Sequence, residues 1–150
     1  MTLLNQETLA AIGRSETLGP ITVLRQEIRK YAIATGQTFQ PFLDGDEAPP
    51  MYFMALAWKL DELSDLAEDG LPHDYLIPDF PLEKRMGGGM RVELNRPIVH
   101  GDTLCAERTL VEIYEKQGRA GPLIFHVTRM DIKDATGDVI IRSYDERIIR

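Results

Sequence analysis

Hydrophobic positions along this chain keep two different periods. In the first half they recur at helical spacing. In ITVLRQEIRKYAIATG, Leu24, Ile28, Tyr31 and Ala32 fall near i, i+4, i+7 and i+8. That spacing predicts a short extended lead-in and then a helix with one apolar face, stopped by Gly36. Residues 1–13 predict a short helical turn with Leu3, Leu4, Leu9 and Ile12 on its apolar face, and Gly19-Pro20 predicts a turn. A loop over 37–47 leads to Ala48-Pro49-Pro50 and a second helix running to about Ala67. Proline suits a first helical turn, where its missing N–H would be unpaired anyway. Met51, Phe53, Met54, Leu56, Ala57, Trp58 and Leu60 make this helix apolar on nearly all sides. Such a helix is expected to be buried all round. Residues 68–85 hold three prolines and no clean period, which predicts a long loop or lid.

From Met90 the pattern alternates. RVELNRPIV, TLCAERTLVEIYEKQG, GPLIFHVTRMDIKD and VIIRSYDERIIR read as strands, with a turn at His100-Gly101-Asp102 and a hairpin loop at 134–138. Long strands joined by short turns imply an antiparallel meander. Helices first and a sheet afterwards imply an α+β layer fold: one curled antiparallel sheet wrapped around a long buried central helix, Met51–Leu66. The 150 residues are expected to form a single domain, 1–150.

Composition narrows the partners. Hydrophobic residues make up 43%, too many for a disordered chain. A net charge of −7 argues against a nucleic-acid partner. The longest apolar run, Met51–Trp58, is far too short to span a bilayer, and the N-terminus lacks a basic segment followed by an apolar run. The lone Cys105 fits a reducing compartment. A cytoplasmic protein with no membrane association is expected.

Candidate chemistry is sparse. His73, His100 and His126 have no metal-ligand spacing with Cys105 or a carboxylate, so no metal or cofactor is expected. His73 reads as a surface residue, His100 as part of a turn, and His126 as a core or interface residue facing the same way as Ile124 and Thr128. Cys105 reads as a small packed residue, with nothing local to lower its pKa. Asp44, Asp46 and Glu47 read as a solvated loop before a helix, or as a source of one desolvated base. Gly87-Gly88-Gly89 sits where the chain enters a strand, not a helix, which disfavours a phosphate loop. A glycine run also lets a chain pass close to a ligand.

Three segments are familiar: IRKYAIATGQT at 28–38, EAPPMYF at 47–53 and VELNRPIVHGDTL at 92–104. On these the chain resembles the MaoC-type hot-dog hydratase/dehydratase superfamily over roughly residues 20–150. It looks most like the FAS1-like dehydratase N-terminal type, whose members form the N-terminal half or companion subunit of acyl-thioester dehydratases. The resemblance implies the hot-dog fold and chemistry between enoyl and (R)-3-hydroxyacyl thioesters. It also implies an aspartate and a histidine as base and acid, in a loop pattern like G-D-x-N-P-x-H. Here Gly36 matches the glycine, but Gln37 stands at the aspartate, Phe39 at the asparagine and Phe42 at the histidine, with the proline shifted to Pro41. Neither a glutamine nor a phenylalanine ionises at a useful pH.

No catalytic residue is therefore expected at that place. The resemblance implies substrate binding by Pro50, Met51, Met86, Gly87, Gly88, Gly89 and Arg91 along an acyl tunnel, with Lys84, Arg85 and Arg91 meeting coenzyme A or carrier-protein phosphates. It implies an acyl-CoA or acyl-carrier-protein thioester as ligand, and a second hot-dog chain as partner in a homodimer or a heterodimer. The leading expectation is a non-catalytic subunit. Two alternatives stay open. One is a self-sufficient homodimeric hydratase or thioesterase using Asp44, Asp46, Glu47 or His100. The other is an acyl-thioester binding protein without chemistry.

Overall fold

The computed structural model describes residues 2–68 and 70–150. Met1 and Asp69, which fall in segments expected as a helical turn and a loop, lie outside the described residues. Five strands form one antiparallel sheet: β1 Ser15–Thr22, β2 Arg85–Leu94, β3 Thr103–Gly118, β4 Gly121–Lys133 and β5 Val139–Ile149, in the order β1-β3-β4-β5-β2. Helices α1 Gln6–Leu9, α2 Arg25–Ala34, α3 Gln40–Asp44 and α4 Tyr52–Leu56 are short or moderate.

Alternation divides the sheet into two faces. The core face carries Leu104, Ala106, Leu110, Ile113, Ile124, Ile132, Ile141 and Ile149, all buried. The outer face carries Glu107, Tyr114, Phe125, Asp131, Lys133, Arg142 and Glu146. These are knit by Arg142 to Asp131 at 2.6 and 3.0 Å, Lys133 to Glu107 at 2.8 Å and Tyr114 to Glu146 at 2.7 Å. On α2 the buried residues are Ile28 and Ala32, four apart on one face. Tyr31 meets Tyr52 of α4 edge-on at 5.4 Å. Gly36 ends this segment at φ +68°, as expected.

The core is split in two. One cluster gathers Val23, Ile28, Tyr52, Phe53, Leu104, Ile132 and Ile141 under α2 and α4. The other gathers Ala11, Leu76, Leu110, Ile113, Ile124 and Ile149 under the N-terminal segment and residues 71–83. A polar belt lies between them on the core face, with Arg108 donating to Glu16 and to Asp74. The belt continues through Thr128 and Asp145, directly paired across β4 and β5, and through His126 and Arg147, also directly paired.

This belt accounts for the main departure from the sequence reading. The central helix is a single turn and a half, Tyr52–Leu56, not a helix to about Ala67. Only Tyr52 and Phe53 are buried, while Trp58, Leu60 and Leu63 are 70%, 99% and 89% exposed. A longer apolar helix would have to lie on Glu16 and Arg108. Instead Lys59, just past the helix, pairs with Glu16, and the far end of the sheet is covered by residues 71–83. Without a surface to bury on, extra helical turns gain little.

Other differences are local. Gly19-Pro20 is not a turn but a cis peptide within β1, beside a register shift between Leu18 and Ile21. β1 is an edge strand, where proline's missing N–H costs no ladder bond. The glycine run is not a lead-in before the sheet: β2 starts at Arg85 and pairs with β5 throughout, with a bulge at Gly88. In the N-terminal turn Ala11 is buried and Leu9 and Ile12 are more than 40% exposed, so the buried face is rotated from the one the spacing suggested. The 37–47 loop contains α3, held on α2 by Arg29 Nε to the Leu43 carbonyl at 2.9 Å and by Arg25 to the Asp44 carbonyl at 3.1 Å.

Candidate functional site

The loop that the resemblance marks as catalytic folds against the turn that carries His100. Glu47 bridges Val99, Ala48 N–H donates to the Ile98 carbonyl at 2.8 Å, and His100 N–H donates to the Asp46 carbonyl at 3.3 Å. These residues lie fifty or more positions apart in the chain, and sequence spacing alone kept them separate. No hydrophobic period could have joined them; the isolated bridge does.

Two of the three loop carboxylates have partners. Asp46 pairs with Arg25. The Asp44 carboxylate accepts from Gln40 Nε2 at 2.8 Å. His100 Nδ1 lies 3.3 Å from the Val23 carbonyl. If Nδ1 carries the proton, this contact fixes the tautomer and leaves Nε2 with its lone pair. Gln37 is tied to Thr35 Oγ1 at 3.3 Å, and the Phe42 ring sits edge-on to Phe39 at 4.9 Å. An amide and an aromatic pair thus occupy the positions that the resemblance assigns to the acid and base.

The start of α4 offers little to a developing oxyanion. Pro49 and Pro50 have no N–H, and Tyr52 N–H is taken by the Pro49 carbonyl at 2.9 Å. Of the two donors left in the sequence, Met51 alone is free of that bond. A stabilising site normally presents preorganised donors in concert.

The remaining expected binding residues do not form one cluster. Pro50 and Met51 are exposed at the start of α4. On β2, Gly87 pairs with Arg147 on the core face, while Met86, Gly89 and Arg91 pair with Ile148, Glu146 and Tyr144 on the outer face. Arg91 stacks over the Tyr144 ring at 4.4 Å and reaches Glu93 at 3.4 Å. Gly88 is the bulge residue, and a Cβ there would lie 2.8 Å from Glu146 Oε1. Arg85 lies on the core face, opposite to Arg91, at one side of an open cleft of about 970 Å³. That cleft is lined by more carboxylates, among them Glu7, Asp79 and Glu83, than by guanidiniums, Arg14 and Arg85. It suits neither phosphates nor an apolar chain.

Sequence reasoning placed His126 on the core side but missed the belt to which it belongs. Its residue is 5% exposed, and its Nδ1 is buried with no hydrogen-bond partner among the described residues. Burial holds the imidazole pKa below its usual value, the nearby Arg147 and Arg108 act in the same sense, and Asp74 and Asp145 oppose them. Among the described residues no group of three or more His, Cys, Asp or Glu gathers where it could hold a metal ion. Among the same residues no helix is long and apolar enough to cross a membrane.

Comparison with known proteins places this geometry in context. The family described as FAS1-like, dehydratase domain region matches residues 10–143. A mesaconyl-C(4)-CoA hydratase of Chloroflexus aurantiacus is 30% identical over 118 residues, 78% of this chain. The chain spans 42% of that relative's length. Among solved structures, the HadBC (3R)-hydroxyacyl-ACP dehydratase complex of Mycobacterium tuberculosis superposes with a TM-score of 0.65 at 17% identity, covering 92% of this chain and 96% of that one. The ChsH1–ChsH2 complex of the same organism superposes with a TM-score of 0.66 at 15% identity, covering 95% and 89%. At these identities the two superpositions speak for the hot-dog fold.

Proposed function

The chain belongs to the FAS1-like dehydratase family, and from that premise we propose that it is the non-catalytic half of an (R)-specific enoyl-thioester hydratase or 3-hydroxyacyl-thioester dehydratase. A second hot-dog chain or domain supplies the aspartate and the histidine. This chain shapes the site and helps to hold an acyl-CoA or acyl-carrier-protein thioester. The observation that carries the reading is the pair of positions 37 and 42. Gln37 is an amide bonded to Thr35, and Phe42 is a ring packed on Phe39, so neither moves a proton.

Two features favour a partner. β2 is an edge strand of ten residues with exposed backbone, which invites pairing with another chain. Trp58, Leu60 and Leu63 follow α4 with their side chains in solvent. Exposed apolar groups of this size mark contact surfaces. The two complexes that superpose on this chain are themselves assemblies of hot-dog chains.

The test is hydration of a panel of trans-enoyl-CoA esters by the chain alone and with a catalytic hot-dog partner. Activity only in the mixture supports the reading. Turnover by the chain alone at an ordinary enzymatic rate overturns it. The contact between the 46–48 segment and the 98–100 turn keeps one second reading alive, in which His100 Nε2 is a base beside Glu47. His100→Asn abolishes any activity of the isolated chain under that reading and leaves the mixture unchanged under ours.

A further inference from the structure

The outer face of the sheet carries an apolar row that lies apart from the β2 backbone edge and from the residues after α4. Tyr114 on β3, Phe125 on β4, Ile148 on β5 and Met86 on β2 are paired in register, one beside the next. The Tyr114 and Phe125 rings stack at 4.8 Å, 4° from parallel. Both core clusters lie on the opposite face and draw no residue from this row. The row is therefore a band across four strands, about 19 Å wide at the usual strand spacing. A contiguous apolar band on an uncovered face marks a contact surface. Strand pairing at the β2 edge extends a sheet in its own plane, so it leaves this face open.

The rows on either side of the band are opposite in charge. On one side Lys116 pairs with Leu123, and Arg150 pairs with Lys84. On the other side Glu112 pairs with Val127, and Val127 pairs with Glu146. Lys116 Nζ stands 5.0 and 4.8 Å from the Tyr114 and Phe125 ring centres, so its charge borders the band directly. Lys116 and Glu112 are exposed, and neither enters an ion pair among the described residues. The chain as a whole carries a net charge of −7. Two copies repel each other except where a balanced pattern meets its own complement.

We propose that this band is the contact through which two copies of the chain pair back to back, about a two-fold axis running along the band. That axis lays each strand over its own equivalent and reverses its direction. Tyr114 and Phe125 then meet their own equivalents. Lys116 faces Glu112 of the second copy, Leu123 faces Val127, and Arg150 faces Glu146. Each contact is complementary, and each one off the axis occurs twice, as an isologous interface requires. Stacked sheets lie about 10 Å apart with strands within about 30° of each other, a separation that side chains of this length span. Three rows at steps of about 7 Å along the strands, and four strands across, cover about 20 by 20 Å. That is small for a specific interface. The pairing is therefore reversible and depends on concentration.

The experiment is sedimentation equilibrium of the full chain at graded concentrations, for the unaltered chain, Lys116→Glu, Glu112→Lys, the two together, and Trp58→Ser. The unaltered chain is expected to pair reversibly. Either charge substitution alone sets like charges against each other at two places, and weakens the pairing about tenfold. The double substitution exchanges the two charges and restores the pairing. Trp58→Ser leaves it in place, because Trp58 lies on the surface given to the second hot-dog chain. A chain that stays monomeric throughout overturns the proposal, as do single substitutions without effect. A double variant no better than the single ones also overturns it, and so does an association that Trp58→Ser abolishes. None of these readouts depends on hydratase activity, so this proposal and the proposed function fail separately.

Discussion

Arg96 and Asp102 are joined at two points, Nη1 to Oδ2 at 2.8 Å and Nη2 to Oδ1 at 3.2 Å. The same carboxylate accepts from Val99 N–H at 3.0 Å, and the same guanidinium reaches Asp134 at 3.4 Å. One pair thus ties the 96–102 turn to the hairpin loop after β4. That turn is the most specific part of the family resemblance, and its role here is architectural. Arg96→Ala is expected to cost about 1–2 kcal/mol, the lower part of the range for charged hydrogen bonds because the Arg96 side chain is 36% exposed. Arg96→Lys recovers only a fraction, since an ammonium cannot form the two-point bond. Urea denaturation of the two variants checks the order.

Gly45 and Gly36 both have positive φ, +76° and +68°, but differ in their surroundings. A Cβ at 45 would lie 2.5 Å from the Arg25 carbonyl oxygen, whereas at 36 it would meet nothing within 4 Å. Gly36→Ala therefore pays only for its backbone conformation, about 1 kcal/mol. Gly45→Ala pays that and a steric term, about 3 kcal/mol together, by forcing α3 off α2. Equal losses in thermal or urea unfolding would contradict this account.

Tyr114 donates to Glu146 Oε2, and that bond, with burial and the Glu146 charge behind it, pushes the phenol up to about 12. A folded value above the ordinary 10.0 means the contribution is complete below pH 10 and is lost as pH rises through about 12. Gly88→Ala intrudes on the Glu146 carboxylate. It is expected to bring the phenol back toward its ordinary value, as is Glu146→Gln. Ultraviolet titration of tyrosinate in the three proteins is the measurement.

His126 has the opposite sign. Burial lowers its folded pKa beneath the ordinary 6.5, so below that pH the unfolded chain binds the proton and the folded chain resists it. Its contribution to stability is intact above pH 6.5 and declines as pH falls. His126→Gln is expected to flatten the pH dependence of unfolding in that window. An unchanged slope would mean the imidazole is protonated in the fold.

Trp58 is 70% exposed immediately after α4. If this surface meets the second hot-dog chain, Trp58→Ser weakens association about tenfold or more while leaving the unfolding midpoint of the isolated chain unchanged. Sedimentation of the mixture distinguishes this from a solvent-exposed residue with no role, whose replacement alters neither.

Much of the architecture was legible in the chain. The alternation in β4, with Ile124, His126, Thr128 and Ile132 on one side, assigned strand and face together. Gly36, His100-Gly101-Asp102 and the 134–138 loop marked real boundaries because their cause is local turn chemistry. β1 was not legible, since SETLGPIT contains a Gly-Pro and little alternation, and it becomes a strand only by pairing with β3. The length of α4 was misjudged for a related reason. Apolar residues on all sides of a helix predict burial only if apolar surface awaits them, and no window of sequence reports what lies opposite.

For the candidate site the division is similar. By itself the sequence determined which residues stand at positions 37 and 42, and hence that no acid–base pair is there. It also determined the two periods and the absence of metal-ligand spacing. Only the tertiary structure decided that His100 lies against Asp46, that Gly87 and Arg91 face opposite sides of the sheet, and that Arg108, Glu16 and Asp74 divide the core. Arg108 meets partners 92 and 34 positions away. A periodic pattern records which face of its own element a side chain occupies. Strand pairing across the fold sets what that face meets.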